Sequence, residues 1–309
     1  MRVALLHNPS AGDETSFEEV HRALSSEGYV LASEIEKNSD FERVRDEAVE
    51  FVVVAGGDGT VRQAARALAG SRVPLAILPL GTANNIAKSL GIEGEVREVV
   101  AGWKHARTVP FDLGIARGQW GESRFLESVG SGLVRAGIAA AEEHPEHGTE
   151  DARTELARAI ERYADALTRL QPRRWTGLLD DEPIDDDYLL VEILNVPSVG
   201  ANLPLAAEAD PSDGWFDVVT AGESERRRIA EYLEARRGGG EAPLELPTRR
   251  ARRAEITGWE RMHVDDELRR IEEAGKVTVE IEPGAIRVLV AQKARDPSGV
   301  NAGLAPGVA

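Results

Sequence analysis

Residues 51–60, FVVVAGGDGT, constrain the fold of this chain more than any other stretch. The run of apolar residues at its start is typical of a buried strand in a parallel sheet, and the apolar spacing over 61–68 predicts a helix directly after it. The glycine turn therefore lies between the carboxyl end of a strand and the amino end of a helix. Unpaired backbone N–H groups at such a position bind anions, most often phosphate.

Asp58 does not suit a turn that binds only anions. A carboxylate repels phosphate oxygens unless a divalent cation or a reacting hydroxyl lies between them, so the turn indicates a phosphoryl donor with Mg²⁺. The alternative is that Gly56, Gly57 and Gly59 only turn the chain tightly and that Asp58 caps the helix beside Thr60. A glycine motif by itself does not decide between these interpretations.

Strand and helix patterns alternate along residues 1–122, which predicts a doubly wound α/β domain whose open parallel sheet has helices on both faces. Three turns, HNPSAG, GGDGT and LPLGTANN, follow strands of this sheet. Because ligands bind beyond the carboxyl ends of parallel strands, we expect these turns to line one cleft. Residues 123–292 consist mainly of short strand patterns and predict a second, mainly β domain. The tail, 293–309, has too few apolar residues to fold and is expected to be disordered.

Composition excludes several classes of function. A formal net charge of −17 argues against nucleic-acid binding, and the absence of cysteine excludes disulfides and thiolate metal sites. No long uncharged apolar run predicts a transmembrane helix, and the first residues lack a signal-peptide pattern, so we expect a cytoplasmic protein. Arginines concentrate in 225–237 and 248–255. Such runs are commonly solvated, but they are the candidates for peripheral contact with the inner face of a membrane.

Several motifs then occur in one order: NPSAG, GGDGT, LPLGTANNIAKSLGI, PSDGWFDVV and HVDDEL. Together they resemble the diacylglycerol kinase catalytic-domain family, which includes bacterial lipid kinases and sphingosine kinases and is distantly related to NAD kinases. The resemblance extends from residue 1 to about residue 290. It implies an amino-terminal α/β domain, a carboxyl-terminal β-sandwich, and ATP-dependent phosphorylation of a lipid hydroxyl such as that of diacylglycerol.

The resemblance also implies roles for individual residues. Asp58 lies between donor phosphate, Mg²⁺ and acceptor hydroxyl, and Glu267 accepts the proton of that hydroxyl. The residues expected to line the ATP site are Asn8, Gly56, Gly57, Asp58, Gly59, Thr60, Val61, Arg62, Thr82 and Asp265. A structural Mg²⁺ is expected at the PSDGW turn, bound by the side chain of Asp213 and the backbone carbonyls of Asp210 and Trp215; the alternative for this turn is an ordinary hairpin.

Two positions depart from the family pattern. Asp266 stands where the family has a glycine, which adds a carboxylate near ATP and carries a cost if the backbone there is left-handed. Asn85 stands where many members have aspartate, and an amide can bind a hydroxyl but cannot act as a base.

Two other classes of function stay open at this stage. One is an NAD kinase-like or other small-molecule kinase, which shares GGDGT, and the other is a regulator that binds nucleotide or lipid without transfer. A deep apolar pocket between the domains would favour a lipid acceptor, and a polar cleft would favour a dinucleotide. The lipid itself is not specified by any residue, and a homodimer paired through edge strands of the β domain is a further open expectation.

Overall fold

The structure is a computed structural model that describes residues 1–8, 14–37, 39–143, 152–240, 244–272 and 275–291. The NPSAG motif beyond Asn8 and the tail from residue 292 lie outside the described residues, and so do the predictions made for them. The predicted domain boundaries at 122/123 and 292/293 stay predictions.

The amino-terminal half alternates strands and helices, as predicted. Its elements are β1 (Arg2–His7), α1 (Glu14–Ser26), β2 (Val30–Glu36), β3 (Phe51–Gly56), α2 (Asp58–Leu68), β4 (Leu75–Pro79), α3 (Asn85–Ser89) and α4 (Val96–Gly102). Where the sequence predicts a further helix over 40–49, the chain forms only a 3₁₀ helix, Phe41–Asp46, which buries Phe41 and Val44.

The first four strands form a parallel sheet in the order β2-β1-β3-β4. All six residues of β3 are buried, which accounts for its apolar sequence. Because the strands run parallel, their carboxyl ends share one edge, and the GGDGT turn after β3 and the LGT turn after β4 are neighbours there.

The second half consists mainly of strands. Its elements are β5 (Ala106–Gly118), β6 (Gly121–Phe125), β7 (Ser128–Gly132), α5 (Leu133–Glu143), α6 (Ala152–Arg169), β8 (Arg173–Leu179), β9 (Glu182–Tyr188), β10 (Leu190–Leu194), β11 (Ser198–Val199), β12 (Leu203–Pro204), β13 (Phe216–Ala221), α7 (Arg226–Arg237), β14 (Thr248–Ala251), β15 (Arg253–Thr257), β16 (Arg261–Val264), β17 (Glu267–Arg270) and β18 (Val277–Ala291). Short 3₁₀ helices precede β5 and α7.

Two sheets organise these strands. The larger has ten strands and continues the parallel sheet through β18, which pairs with β5 along one side and with β4 and β15 along the other. The smaller has six strands in the order β14-β13-β10-β7-β16-β17. Apolar side chains of both sheets form a second core, in which Phe125 and Phe216 stack 5.6 Å apart. The α/β layer and the β-sandwich are therefore joined by a continuous sheet.

The crossing between these sheets was missed by the sequence interpretation. The stretch SRFLESVGSG predicts one strand, but β6 belongs to the ten-stranded sheet and β7 to the six-stranded sheet. The chain changes sheets at Leu126–Glu127. Conversely, the two strands predicted over KVTVEIE and AIRVLVAQ are one bulged strand, β18. Among the described residues, no helix has the length and apolar character needed to cross a membrane.

Candidate active site

The GGDGT and LGT turns pack against each other through their backbones. A Cβ atom on Gly81 would lie 2.5 Å from the Cα atom of Gly57, and one on Gly56 would lie 2.5 Å from the hydroxyl of Thr60. Both positions therefore exclude any side chain. A Cβ atom on Gly59 would approach nothing closer than 3.6 Å, so this glycine faces open space at the start of α2. Two of the glycines thus serve packing, and the third leaves the approach to the helix terminus open.

Asp58, the first residue of α2, lies half-buried at this edge. Its two carboxylate oxygens accept hydrogen bonds from the backbone N–H groups of Asn85, at 3.1 Å, and Ile86, at 3.0 Å. Asp58 therefore caps the short helix α3 rather than its own helix. Asn84, just before α3, is left-handed (φ 52°), and its side chain bonds Gly81 N–H at 3.0 Å. The loop that carries Asn85 is consequently held in one conformation.

Glu127 lies at the crossing between the sheets. The backbone N–H of Glu127 donates to Asp265 Oδ1 at 2.9 Å, and its carbonyl accepts from Asn195 N–H at 2.9 Å. The side chain is 7% exposed. Its Oε1 accepts from Arg62 Nη1 at 2.6 Å, and its Oε2 accepts from Asn85 Nδ2 at 2.9 Å. Backbone and side chain are therefore both fixed, with the carboxylate between α2 and α3.

The arginines of α2 are both bound by carboxylates. Besides Glu127, Arg62 contacts Asp265, at 3.7 Å, and Asp266. Arg66 bonds Asp265 Oδ2 at 3.0 Å. Arg62 is therefore held by three carboxylates, and its Nη2 also lies beside the glycine turn, 3.6 Å from the position of a Cβ atom on Gly59.

Asp265 and Asp266 form the two-residue turn between β16 and β17, since Val264 pairs with Glu267. The left-handed residue is Asp265 (φ 52°), and Asp266 does not adopt positive φ. The backbone cost considered for Asp266 therefore falls on Asp265. Its carboxylate compensates by accepting N–H groups of the β6–β7 crossing, while the Asp266 charge is neutralised by Arg62.

Glu267 follows this turn and has a different environment. Its side chain is 38% exposed, and it bonds Arg66 Nη1 at 2.8 Å and also Arg269. Partial burial raises the pKa of Glu267, but the hydrogen bonds and charges of Arg66 and Arg269 outweigh this effect and lower it. A carboxylate held in this way is a weak base.

A cavity of about 270 Å³ opens at the meeting of these elements. Asp58, Gly59, Asn85 and Glu127 line it on the α/β side, and Val134, Ile138, Gly200 and His263 are among the residues that line it on the other. Burial raises the pKa of Glu127, the charges of Asp58 and Asp265 raise it further, and Arg62 only partly opposes them, so that it reaches about 8. A carboxyl group that ionises near neutral pH therefore lies in this cavity.

Comparison with known proteins identifies this arrangement. Residues 2–116 match the diacylglycerol kinase catalytic domain, and residues 132–290 match the "YegS C-terminal NAD kinase beta sandwich-like domain". The chain belongs to the diacylglycerol kinase family. This kinase is 32% identical over 222 residues to the Pseudomonas putida protein named "Probable lipid kinase YegS-like", covering 67% of this chain and 70% of that one. It is 26% identical over 280 residues to a diacylglycerol kinase of Mycobacterium tuberculosis, covering 82% and 84%.

Solved structures agree at the level of the fold. A diacylglycerol kinase from Bacillus anthracis superposes on this kinase with a TM-score of 0.70 at 19% identity, over 97% of this chain and 98% of that one. Yeast NADH kinase, solved with NADH, superposes with a TM-score of 0.54 at 9% identity, over 100% and 90%. These likenesses confirm the predicted α/β domain with a carboxyl-terminal β-sandwich.

The structure distributes the predicted nucleotide residues over two environments. Asn8, Asp58 and Gly59 lie at the carboxyl edge of the sheet, and the last two line the cavity. Thr60 and Val61 are 1% and 2% exposed and pack beneath the turn, so that only their backbone faces the edge. Thr82 donates instead to Glu155 Oε2 at 2.9 Å, at the start of α6. The nucleotide assignments of all these residues stay predictions.

The predicted metal turn is held by its own hydrogen bonds. Asp213 Oδ1 accepts the N–H of Trp215 at 3.0 Å, and its other oxygen bonds Arg250. Asp210 Oδ1 accepts from the hydroxyl of Ser212 at 2.7 Å. No group of three or more His, Asp or Glu side chains suitable for a metal ion occurs within the part of the chain that the structure describes. In this arrangement the turn does not form a metal cage, and the Mg²⁺ site stays a prediction.

Two residues of the site were not found from the sequence. Glu127 is one; the signal for it was a charged residue inside an otherwise apolar strand pattern, which a single strand would have placed in the core. Lys37 is the other. It directly follows β2, and its Nζ lies 3.6 Å from the position of a Cβ on Gly59. No carboxylate within the described ranges pairs with it, so its charge is available beside the glycine turn.

Proposed function

We propose that this kinase transfers the γ-phosphoryl group of ATP to the hydroxyl of a lipid such as diacylglycerol, taken from a membrane surface. The observation that carries the proposal is an apolar groove of about 300 Å³ that adjoins the cavity. The groove shares Ile138, Gly200 and Asp266 with the cavity wall. A bound lipid would therefore place its hydroxyl at Asp58 and Glu127 while its acyl chain lies in the groove.

The groove lies between α5, α6 and the LGT turn. Its apolar lining comes from Gly137, Ile138, Ala141, Leu156, Ala159, Ala201 and Tyr163. Tyr163 is buried and packs where α5 has Gly137, since a Cβ there would lie 2.2 Å from the tyrosine ring. Small residues thus leave room along α5 and α6. An apolar slot with a polar end suits a lipid, whereas the nicotinamide dinucleotides are polar along their length.

The nucleotide side of the site is the amino terminus of α2. Its backbone N–H groups and Lys37 attract the phosphates from two directions, while Gly59 leaves room for them. Asp58 suits Mg²⁺ that arrives with the nucleotide, because this ion commonly takes one or two protein carboxylates and completes its shell with phosphates and water. When bound, Mg²⁺ would neutralise phosphate charge. Asp58 would orient it toward the acceptor.

Phosphoryl transfer depends on positioning and charge neutralisation more than on covalent chemistry. The family resemblance assigns proton acceptance to Glu267, and this assignment is a hypothesis with a structural requirement. Glu267 would have to leave Arg66 and Arg269 before it could act as a base. ATP binding between Lys37 and Arg66 is one event that could release it, since these residues and Glu267 line the same surface depression.

The experiment is phosphoryl transfer from labelled ATP with Mg²⁺ to detergent micelles that carry diacylglycerol, a sphingoid base or an isoprenoid alcohol, with NAD as soluble acceptor. Labelled lipid supports the proposal and names the acceptor. Label on NAD alone would assign a small-molecule kinase. Thermal stabilisation by ATP without transfer to any acceptor would assign a binding protein. Leu156→Trp, which fills the groove, should lower lipid transfer while any slow ATP hydrolysis persists.

A further inference from the structure

We propose that Glu127 binds the acceptor hydroxyl and accepts its proton during phosphoryl transfer. The inference rests on the proposed function and names a catalytic residue that the family resemblance does not assign. The carboxylate is buried, lines the cavity beside Asp58, and is held by side chains of both α2 and α3.

The position of Glu127 relative to Asp58 supports this role. Asn85 connects the two carboxylates, because its backbone N–H donates to Asp58 and its side-chain amide donates to Glu127. Asp58 lies at the amino terminus of α2, where the phosphates are expected. Glu127 lines the same cavity, opposite Val134 and Ile138, and Ile138 is shared with the apolar groove. The hydroxyl of a lipid in the groove would therefore enter the cavity that Glu127 and Asp58 line.

The other carboxylates at the cavity have different partners from those of Glu127. Asp265 accepts the N–H groups of Leu126 and Glu127 and is also bonded by Arg66. Asp266 points at Arg62 and is largely exposed. Asn85 is an amide and cannot take a proton. Among the described residues that line the cavity, Glu127 and Asp265 are the buried carboxylates, and Asp265 differs in that it accepts two backbone N–H groups and lies against two arginines.

Hydrogen bonds fix the backbone at Leu126–Glu127, where the chain changes sheets, and so they also fix the position of the Glu127 side chain. Asn195 Nδ2 donates to the carbonyl of Leu126 at 3.0 Å, and Asp265 accepts the N–H groups of both crossing residues. Such groups would otherwise be unpaired where β6 ends and β7 begins. The side chain of Glu127 therefore projects from a rigid link rather than from a mobile loop, as a catalytic group requires.

The proposed transfer replaces one bond to the γ-phosphorus with another. The acceptor oxygen forms a bond to the γ-phosphorus of ATP, and the bond from that phosphorus to the β,γ-bridging oxygen breaks, with its electron pair remaining on ADP. The hydroxyl proton moves to ionised Glu127 and passes to solvent after the product leaves. Arg62 stabilises the ionised carboxylate before transfer.

The test compares Glu127→Gln with Glu267→Gln and with Glu192→Gln. Glu192 is the matched control, because it is also a buried carboxylate but bonds His263 in the sandwich and does not line the cavity. We expect Glu127→Gln to lower kcat for lipid transfer by roughly 100-fold or more, with the KM for ATP changed by less than about threefold. Glu192→Gln should retain kcat within about fivefold of the wild type. Glu267→Gln is not a control but tests the competing assignment of the base to Glu267.

A pH profile separates catalysis from structural support. The titratable and charged groups around Glu127 are Arg62 and Asp58 of α2, Asp265 and Asp266 of the β16–β17 turn, His263 of β16 and Tyr163 of α6. If Glu127 is the base, the rise of kcat/KM with pH disappears in Glu127→Gln. If Glu127 only holds Arg62 in place, kcat/KM falls by the same factor at every pH and still rises with pH. That result overturns the inference.

A relocated carboxylate gives an independent result. The Asn85 amide nitrogen lies 2.9 Å from Glu127 Oε2, so Asn85→Asp combined with Glu127→Gln moves the charge by a short distance. We expect this double variant to recover roughly tenfold or more of the activity lost in Glu127→Gln. Absence of recovery in a double variant that folds like the wild type overturns the inference, and so does wild-type-like turnover of Glu127→Gln itself.

Two further outcomes are distinguishable. If Glu127→Gln does not fold, Glu127→Asp serves instead; lowered kcat with the pH rise retained supports the inference, and unchanged kcat overturns it. Lipid transfer by the wild type that is lost in Glu267→Gln but kept in Glu127→Gln overturns the inference and leaves the proposed function intact. If the wild type labels no lipid, both fail together.

Discussion

Glu127 and Glu267 are two glutamates near one glycine turn, and their surroundings differ in every respect that governs proton transfer. Glu127 is buried at the crossing of two sheets, with one arginine and one amide as partners. Glu267 is partly exposed on β17 and has two arginine partners. Burial raises the pKa of the first to about 8, and the arginines lower the pKa of the second. The residue type therefore does not reveal which of them can act as a base.

The largest expected effect concerns Asp58, which lies on the same cavity wall as Glu127. Asp58→Asn should lower kcat by roughly 100- to 1,000-fold, because it removes the carboxylate that would hold Mg²⁺ against the phosphates. It should also destabilise the fold by about 1 kcal/mol, since Asp58 caps α3. Steady-state kinetics and thermal unfolding measure both. Turnover within a few-fold of wild type would show that this cavity is not where transfer occurs.

The pH dependence of kcat/KM distinguishes Glu127 from Glu267 as the base. A base acts when ionised, so a base with a pKa near 8 makes kcat/KM rise with pH by roughly tenfold per unit below that value and level off above it. Glu267→Gln should keep this rise. A rise confined to a pH below the ordinary carboxyl pKa, or one that is lost in Glu267→Gln, would return the role to Glu267.

A substitution of Lys37 tests which positively charged side chain binds the ATP phosphates. Arg62 and Lys37 both lie beside Gly59, but Arg62 is paired with carboxylates, so we expect Lys37 to contribute more to phosphate binding. Lys37→Ala should raise the KM for ATP by roughly fivefold to 20-fold with a smaller change in kcat. Lys276→Ala is the matched control, since Lys276 pairs with Glu255 on the sandwich. An unchanged KM in Lys37→Ala would place the phosphates elsewhere.

The smallest effect is expected for Arg66. Arg66→Gln removes one of the two arginine partners of Glu267, so the pKa of Glu267 should rise toward its ordinary value. If Glu267 is not the base, kcat should change by less than about threefold. The measurement is kcat of Arg66→Gln, of Glu267→Gln and of the double variant. A large change of kcat in Arg66→Gln that is absent when Glu267 is also replaced would contradict this expectation.

Local patterns predicted much of the fold. The apolar β3, the glycines and the amphipathic α2 are successive in the chain, so their order was readable and the structure agrees with it. The family motifs likewise led to the correct family and the correct two-layer architecture. The errors fell where strands change partners. SRFLESVGSG is divided because β6 and β7 belong to different sheets, and no local pattern encodes that choice.

The chemistry of single residues was less accessible. Arg62 stays a predicted nucleotide residue, but the sequence does not reveal that its guanidinium also bonds Glu127, 65 positions away. Asp265 was expected at the nucleotide, and its carboxylate supports the backbone of Glu127, 138 positions away. Such contacts depend on how the β16–β17 turn and the sheet crossing approach α2. Spacing along the chain does not contain that information.

The sequence by itself determined that a buried parallel strand runs into a glycine turn and a helix, because apolar runs, glycine geometry and helical spacing act over a few residues. It also placed the chain within its family. Only the tertiary structure decided which glutamate is buried, which arginines are neutralised and which lysine remains available beside the turn. Burial and ion pairing depend on distances in space, and the elements that bring Glu127, Arg62 and Asn85 together are far apart in the chain.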